Sequence, residues 1–306
     1  MNSKIKGAIM GAVVGDAIGV PFEFKKRGEI RKIDIFMLKE KGYWNQPLGT
    51  WSDDSSMIFC TMEGMLNGYN LLTIADMFCK WKYQSYWTPH GVLFDIGGTT
   101  AKAIMNINLR KDYSGVKGDN ASGNGSLMRI IPILFYIKDN RDTRFEIIKE
   151  LSSLTHSNMI CIIACCIYIE LCLNILDGCD KDIAYRKMQH TIKEYFSSYP
   201  NELSLFDKIL NSNISKVNNL ELSGSGYVVH TLESSLYSFM SSSSYSKSIY
   251  KAILFGEDTD TVASITGGLS GLYYGYHKIP KKWSSLIVKS DEIDNLIEKF
   301  SLIYGN

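Results

Sequence analysis

Apolar residues recur every three or four positions through most of the chain, which is the spacing of one face of an α-helix. Few stretches alternate apolar and polar residues with the two-residue period of a half-buried strand. The pattern therefore predicts an all-α fold. Beyond a first helix that Pro21 ends, helices are predicted at 56–67, 73–83, 100–106, 143–153, 156–176, 181–196, 203–211, 227–240, 246–255, 262–276 and 290–303.

Two of the predicted helices, one near each end of the chain, carry a glycine at every fourth position. The two stripes consist of Gly7, Gly11, Gly15 and Gly19 and of Gly267, Gly271 and Gly275. Glycine inside a helix costs about 1 kcal/mol relative to alanine, so a stripe of glycines indicates that a neighbouring backbone comes close. The two stripes could pack against each other, or each could meet a different neighbour.

Length, charge and cysteine usage restrict the class of protein. A chain of 306 residues without a Pro-rich linker is predicted to form one domain over 1–306. Its 33 basic and 32 acidic residues nearly cancel, which argues against binding to nucleic acid or to an acidic membrane. Seven cysteines, an odd number with no Cys-x-x-Cys pair, fit buried thiols in a reducing compartment. We therefore expect a cytoplasmic protein that acts as a monomer.

Two clusters of acids and hydroxyls, Ser52-Asp53-Asp54 and Asp258-Thr259-Asp260-Thr261, are the main candidates for chemistry. Their oxygen atoms are the ligands that Mg²⁺, Mn²⁺ and Ca²⁺ prefer. If the clusters meet in space, repulsion among four carboxylates would favour a shared cation that keeps them ionised. Each cluster also precedes a predicted helix, where Ser, Thr and Asp commonly serve as N-caps. Spacing along the chain leaves both interpretations open.

Three glycine-rich turns, at 95–100, 123–129 and 223–227, lie near possible helix starts and could present backbone N–H groups to a phosphate. Each could equally be an ordinary turn, and none matches a dinucleotide-binding or Walker A motif. His156 could contact a ligand or donate to a loop carbonyl. Glu23 follows Pro21 and is predicted to lie on a loop, where a carboxylate facing a metal site could serve as general acid or base.

Several short segments form an ordered set along the chain: Gly15-Asp16-Ala17-Ile18-Gly19 with Glu23, Ser52-Asp53-Asp54-Ser55, Gly97-Gly98-Thr99-Thr100, Gly123-Asn124-Gly125-Ser126-Leu127-Met128-Arg129, Thr155-His156, Gly226-Tyr227-Val228 and 256–263. Taken in order, these segments resemble the ADP-ribosylglycohydrolase family, which includes dinitrogenase reductase-activating glycohydrolase and the ADP-ribosylarginine hydrolases. This sequence departs from the family's usual pattern at Ser52, where Thr is common, and at His230, where Asp is more usual.

The resemblance implies a single-domain, compact bundle of many helices with two Mg²⁺ or Mn²⁺ ions between the acidic clusters. The implied catalytic residues are Glu23 and Asp54. Glu23 falls on the position of the mobile acid in the family's active site. The implied metal ligands are Ser52, Asp53, Asp54, Asp258, Asp260 and Thr261. The implied substrate-binding residues are Gly97, Gly98, Thr99, Gly123, Asn124, Gly125, Ser126, Met128, His156, Gly226 and Tyr227.

The function implied by the resemblance is hydrolysis of the bond between ADP-ribose and a protein side chain, in first place the N-glycosidic bond of ADP-ribosyl-arginine. The partners would be ADP-ribose and an ADP-ribosylated protein. Another linkage, to serine, to nucleic acid or in a free ADP-ribose derivative, is an alternative. So are a non-catalytic ADP-ribose-binding protein and a helical scaffold stabilised by Ca²⁺.

Overall fold

The computed structural model of the protein describes residues 2–31, 34 and 41–305, and within these ranges the chain forms helices, three isolated β-bridges and no strand. The prediction of an all-α fold is confirmed. In chain order the helices are α1 (Asn2–Gly19), α2 (Asp53–Gly64), α3 (Leu71–Gln84), α4 (Gly98–Arg110), α5 (Leu134–Ile137), α6 (Arg144–Ser153), α7 (Met159–Leu176), α8 (Lys181–Tyr195), α9 (Pro200–Ser204), α10 (Asp207–Leu210), α11 (Val228–Met240), α12 (Tyr245–Ile253), α13 (Thr259–Tyr274), α14 (Lys281–Ser284) and α15 (Ser290–Tyr304).

Helices α1 and α13 pack against each other along their glycine stripes. A Cβ atom added to Gly11 would lie 2.3 Å from the carbonyl oxygen of Gly267, and one added to Gly15 would lie 2.0 Å from that of Ala263. No real side chain fits at such distances, so the glycines allow the two backbones to touch. Since α1 begins the chain and α13 lies near its end, this contact brings the two acidic clusters within reach of each other.

Helix α7 passes through the interior, where every residue from Cys161 to Ile175 is buried. By length and composition, Asn2–Phe22 and Met159–Leu176 could each cross a membrane, but 94% and 83% of these segments are buried inside the protein. Such burial is typical of helices in the core of a folded protein. A single apolar cluster extends from Ile5 to Tyr304 and includes side chains from both ends of the chain.

The prediction of one helix over 203–211 is wrong, because the chain forms two short helices there, α9 and α10, with a break between Ser204 and Asp207. Phe206 lies between these short helices and is fully buried. Its backbone N–H donates to the carbonyl of Leu203 over 3.0 Å, a three-residue bond that tightens the chain and turns the ring inward. Helix α13 ends at Tyr274 instead of residue 276, because Gly275 adopts a φ of +91°.

Candidate metal and substrate site

The first acidic cluster lies at the N-terminus of α2, where serine serves as the cap. The Oγ of Ser52 accepts a hydrogen bond from the backbone N–H of Asp54 at 3.2 Å. Asp16, a fully buried carboxylate on α1, accepts hydrogen bonds from the backbone N–H groups of Ser52 and Ser55, each at 3.0 Å. Because these groups satisfy the free donors of the helix, the carboxylates of Asp53 and Asp54 are not needed as caps.

In the second acidic cluster, Oδ1 of Asp260 accepts a hydrogen bond from the backbone N–H of Thr261 at 3.0 Å in the first turn of its helix. Asp258 occupies the N-cap position of α13, but its side chain makes no capping hydrogen bond. Its Oδ2 instead accepts a hydrogen bond from the side-chain amide of Asn124 at 2.7 Å. The backbone N–H of Asn124 donates to the carbonyl of Gly226 at 3.1 Å. Two of the predicted glycine-rich turns therefore lie directly against this cluster.

The two acidic clusters meet in space. The hydroxyl of Thr261 donates to Oδ2 of Asp54 at 3.0 Å. Two further carboxylate oxygens, Oδ1 of Asp54 and Oδ2 of Asp260, are buried and have no hydrogen-bond partner among the residues that the structure describes. A buried, unpaired carboxylate oxygen is costly unless a proton or a cation satisfies it. The hard oxygen donors around these two atoms fit a divalent cation.

Glu23 reaches the same place from the end of α1. A 3₁₀ turn, Val20–Phe22, follows α1 and leads the chain to Glu23. The indole N–H of Trp44 donates to one oxygen of the Glu23 carboxylate. Carboxylate oxygens of Glu23, Asp95 and Asp260 lie within 4.8 Å of one another. A third acidic segment, the loop before α4, therefore adds Asp95 to the site.

The crowding of buried carboxyl groups raises their pKa values. Burial, followed by the charge of Asp95, raises the pKa of Glu23 to about 8. Burial, followed by the charge of Asp258, raises the pKa of Asp95 to about 7. Burial also raises the pKa of Asp53, Asp54 and Asp260 well above the usual range of a carboxyl group. Without a cation this crowding favours the protonated forms, and a divalent cation bound between the clusters would displace protons from the carboxyl groups that hold it.

A cavity of about 880 Å³ opens beside the acidic groups. This volume is within the roughly 300–1,000 Å³ of pockets that hold small ligands. The acidic residues that line it are Glu23, Asp53, Asp95, Glu257 and Asp258, with Thr261 beside them. The predicted substrate-binding residues that line it are Gly97, Gly98, Thr99, Gly123, Asn124, Gly125, Met128, His156 and Gly226.

Some predicted site residues do not line the cavity. Ser52, Asp54 and Asp260 are almost fully buried next to it. Ser126 is fully buried, and its hydroxyl accepts a hydrogen bond from that of Ser152 at 2.9 Å. The ring of Tyr227 stands edge-on to the ring of His230, with 5.0 Å between their centroids.

His156 is held at the cavity wall by a chain of polar groups. Its Nδ1 lies 2.8 Å from Oγ1 of Thr155, which also accepts a hydrogen bond from the buried guanidinium of Arg129 at 2.8 Å. Burial, followed by the charge of Arg129, lowers the pKa of His156 to about 3. The ring is therefore neutral at physiological pH. If the Thr155 hydroxyl donates to Nδ1, then Nε2 carries the hydrogen and can donate to a ligand in the cavity.

Comparisons with known proteins show which family the chain belongs to. The family model described as ADP-ribosylglycohydrolase matches residues 1–305. The chain belongs to the ADP-ribosylglycohydrolase family. It is 28% identical over 301 residues to the ADP-ribosylarginine hydrolase Tri1 of Serratia proteamaculans, covering 97% of this chain and 78% of the relative.

A second relative and a solved structure match at lower identity. The ADP-ribosyl-[dinitrogen reductase] glycohydrolase of Rhodospirillum rubrum is 22% identical over 291 residues, which cover 93% of this chain and 90% of the relative. A solved structure described as an ADP-ribosylglycohydrolase-related protein complex superposes with a TM-score of 0.82 at 23% identity, covering 99% of this chain and 98% of the other. The likeness to the solved structure shows that the two chains share a fold.

The sequence analysis assigned no role in this site to Asp16, Asp95 or Trp44. Asp16 is an acid inside an apolar, glycine-rich helix, and such a residue must find buried donors. Asp95 lies in the first glycine-rich turn, but its approach to Glu23 and Asp260 is a long-range contact that the turn alone does not indicate. Trp44 is separated from Glu23 by a segment with no recognisable motif, and nothing in the sequence indicates their hydrogen bond.

Proposed function

We propose that this hydrolase releases ADP-ribose from a modified arginine side chain of a protein and that it requires two divalent cations, Mg²⁺ or Mn²⁺. The observation that carries the proposal is the convergence of two acidic clusters, from opposite ends of the chain, at the wall of a nucleotide-sized cavity. The names of the relatives support the arginine linkage, since one similar protein is called an ADP-ribosylarginine hydrolase.

The cations would be held by both clusters. The unpaired oxygens of Asp54 and Asp260 face no protein donor among the described residues and are suited to a cation. When bound, divalent cations would lower the pKa of a water molecule and stabilise negative charge that develops during hydrolysis. The proposed ligands are Ser52, Asp53, Asp54, Asp258, Asp260 and Thr261.

Glu23 is the proposed proton donor. In hydrolysis the bond between the ribose C1′ and the guanidine nitrogen breaks, water supplies a hydroxyl group to C1′, and the leaving nitrogen gains a proton. Trp44 engages one oxygen of Glu23 and leaves the other free to hold that proton. The burial that raises the Glu23 pKa also favours its protonated form. Asp54, beside the second cluster, is the proposed partner that accepts a proton from water.

The glycine turns and His156 form the proposed binding surface for the diphosphate and riboses. Helix α4 begins at Gly98 without a side-chain cap, so its first backbone N–H groups are free to bind an anion. A Cβ atom on Gly125 would lie 2.8 Å from the His156 ring, so the turn and the imidazole share one wall. A neutral His156 donating through Nε2 would add a hydrogen bond that does not depend on pH in the physiological range.

The alternatives make different demands on the acidic groups. A non-catalytic ADP-ribose-binding protein would not need Glu23 and Asp95 next to the unpaired oxygen of Asp260. A scaffold stabilised by Ca²⁺ would not need the adjoining cavity. The combination of acids and cavity therefore favours an enzyme. A cytoplasmic location is also proposed, which the seven free cysteines support.

Release of ADP-ribose from defined substrates tests the proposal. Purified protein is incubated in Mg²⁺ with peptides that carry ADP-ribose on arginine or on serine, and free ADP-ribose is quantified. We expect turnover of the arginine conjugate, and we expect Asp260→Asn to reduce it by more than about 100-fold, the upper range for loss of a residue that merely supports a metal ligand. The control, Asp182→Asn, alters a carboxylate on α8 away from the cavity and should keep wild-type turnover. Wild-type turnover by Asp260→Asn would refute the proposal.

A further inference from the structure

Four aromatic side chains form a continuous group, here called the aromatic rim, at the acidic side of the cavity. The centroids of Phe24 and Tyr43 are 4.9 Å apart, those of Tyr43 and Trp44 are 5.0 Å apart, and those of Trp44 and Phe94 are 5.7 Å apart. The rings meet edge to face, with interplanar angles of 80°, 86° and 61°. These contacts link the segment after α1 to the loop before α4.

The aromatic rim is attached directly to the two outer carboxylates of the site. Phe24 follows Glu23 in the chain, and Phe94 precedes Asp95. Trp44, which packs between them, donates its indole hydrogen to Glu23. Phe24 also lines the cavity. A substrate group that extends from Glu23 and Asp95 on this side of the cavity would therefore contact the aromatic rim.

Two rings of the rim are exposed, while those of Trp44 and Phe94 are half-buried. Phe24 is 56% exposed and Tyr43 is 70% exposed. Phe24 has a φ of +64°, a conformation that costs a bulky side chain free energy. Two backbone hydrogen bonds of 2.7 Å, from Phe24 N to Glu257 O and from Glu257 N to Lys25 O, maintain it. Strained backbone that exposes a large ring beside a catalytic acid is typical of a binding surface.

The chemistry of the rim suits a planar cation. A guanidinium group stacks on aromatic faces through cation–π attraction and is also bound by carboxylates. Glu23 and Asp95, whose oxygens lie within 4.8 Å of each other, place carboxyl oxygens next to the rings that can accept hydrogen bonds from a guanidinium. A serine side chain offers no cation and no planar face, so the same surface would gain little from a serine-linked substrate.

We propose that the aromatic rim, through Phe24 and Tyr43, recognises the guanidinium of the modified arginine and thereby selects the arginine linkage. This inference rests on the proposed function and specifies which residues select its leaving group. The rings contact the leaving group only, so they affect the arginine conjugate and leave recognition of the ADP-ribose unit to the glycine turns.

The test combines kinetics on the arginine conjugate with binding of ADP-ribose, which lacks the guanidinium. Phe24→Leu and Tyr43→Leu keep apolar bulk but remove the aromatic face. For the double variant we expect kcat/KM on ADP-ribosyl-arginine peptide to fall about 5- to 30-fold, the range of one to two cation–π contacts. The Kd for ADP-ribose, measured by calorimetry in Mg²⁺, should stay within about twofold of wild type because the aromatic face meets only the guanidinium. Tyr43→Phe keeps the aromatic face that Tyr43→Leu removes, so this variant should retain the contribution of that ring to kcat/KM.

Tyr83→Leu, which removes an exposed tyrosine on α3, is the matched control and should behave as wild type. The inference is overturned if kcat/KM of the double variant equals that of wild type, or if ADP-ribose affinity falls by the same factor as kcat/KM. Failure of the proposed function looks different, since wild type itself would then leave the arginine conjugate intact. A wild-type protein that cleaves only the serine conjugate would contradict both.

Discussion

The hydroxyl of Thr261 lies 3.0 Å from Oδ2 of Asp54, although 207 positions separate the two residues in the chain. This hydrogen bond joins the start of α13 to the start of α2. It depends on the contact between the glycine stripes of α1 and α13, because Asp16 on α1 holds the N-terminus of α2 in place. A helix-packing feature thus assembles the proposed metal site.

Replacing Thr261 with valine is expected to weaken cation binding with little effect on the fold. Valine keeps the shape of threonine and removes the oxygen, so Mg²⁺ affinity measured by calorimetry should fall about 10- to 100-fold, as for other groups that orient or supply ligands. Thr266→Val is the control on the same helix, since that hydroxyl points to the carbonyl of Ser235. Equal Mg²⁺ affinities for the two variants would remove Thr261 from the metal site.

Adding a methyl group to the glycine stripe is expected to destabilise the whole protein. In Gly15→Ala the new Cβ would meet the carbonyl of Ala263 at 2.0 Å, and forced overpacking usually costs about 1–3 kcal/mol. Chemical denaturation should show this loss in the free energy of unfolding. Gly98→Ala provides the control, because nothing lies within 4 Å of its added Cβ. If Gly15→Ala unfolds like wild type, the close approach of α1 and α13 is incorrect.

The stability of the metal-free protein is expected to fall as pH rises from about 6.5 to about 8.5. Folding raises the pKa of Asp95 to about 7 and that of Glu23 to about 8, so the folded state binds protons that the unfolded state releases. The stability linked to these protons is complete below the unfolded pKa values, near 4, and is lost progressively as pH rises from there to the folded values of about 7 and 8. His156 acts in the opposite direction, because folding lowers its pKa, but its contribution is nearly complete once pH rises above its ordinary pKa of 6.5.

Thermal melts in a chelator and in Mg²⁺ measure this effect. A cation replaces the protons, so Mg²⁺ should raise Tm more at pH about 8.5 than at about 6.5, where protons compete with it. An increase in Tm that is the same at both pH values would show that these carboxyl groups do not share a site with the cation.

Replacing Thr155 with valine is expected to weaken ADP-ribose binding. The change removes the oxygen that connects Arg129 to His156 and leaves Nδ1 of the imidazole unpaired. Loss of one positioned hydrogen bond is worth roughly a tenfold change in Kd by calorimetry. Thr61→Val, a buried threonine that bonds only to the carbonyl of Met57, is the control. Unchanged affinity in Thr155→Val would mean that His156 does not contact the ligand.

Local patterns in the sequence were sufficient for the helical class and for most helix positions. The four-residue spacing of Gly7 to Gly19 and of Gly267 to Gly275 identified helices that approach another backbone, but the choice of partner depended on the packing of the whole chain. The helix break at Phe206 was not predictable, because burial of one ring outweighed a continuous helical pattern.

For the candidate site, the sequence located the acidic clusters and glycine turns, and the family resemblance connected them. It could not distinguish capping from other roles for Asp53 and Asp54, because that depended on Asp16 binding the same helix terminus from another helix. The roles of Asp95 and Trp44 depended on loops that meet only in the folded protein. Long-range contacts of this type carry no local signal.

The most direct test of the central claim is ADP-ribose release from an ADP-ribosyl-arginine peptide, measured in Mg²⁺ and again after removal of divalent cations with a chelator. We expect turnover in Mg²⁺, loss of turnover in the chelator, and recovery when Mg²⁺ or Mn²⁺ is restored. Equal turnover in Mg²⁺ and in chelator would contradict a metal site formed by the two acidic clusters.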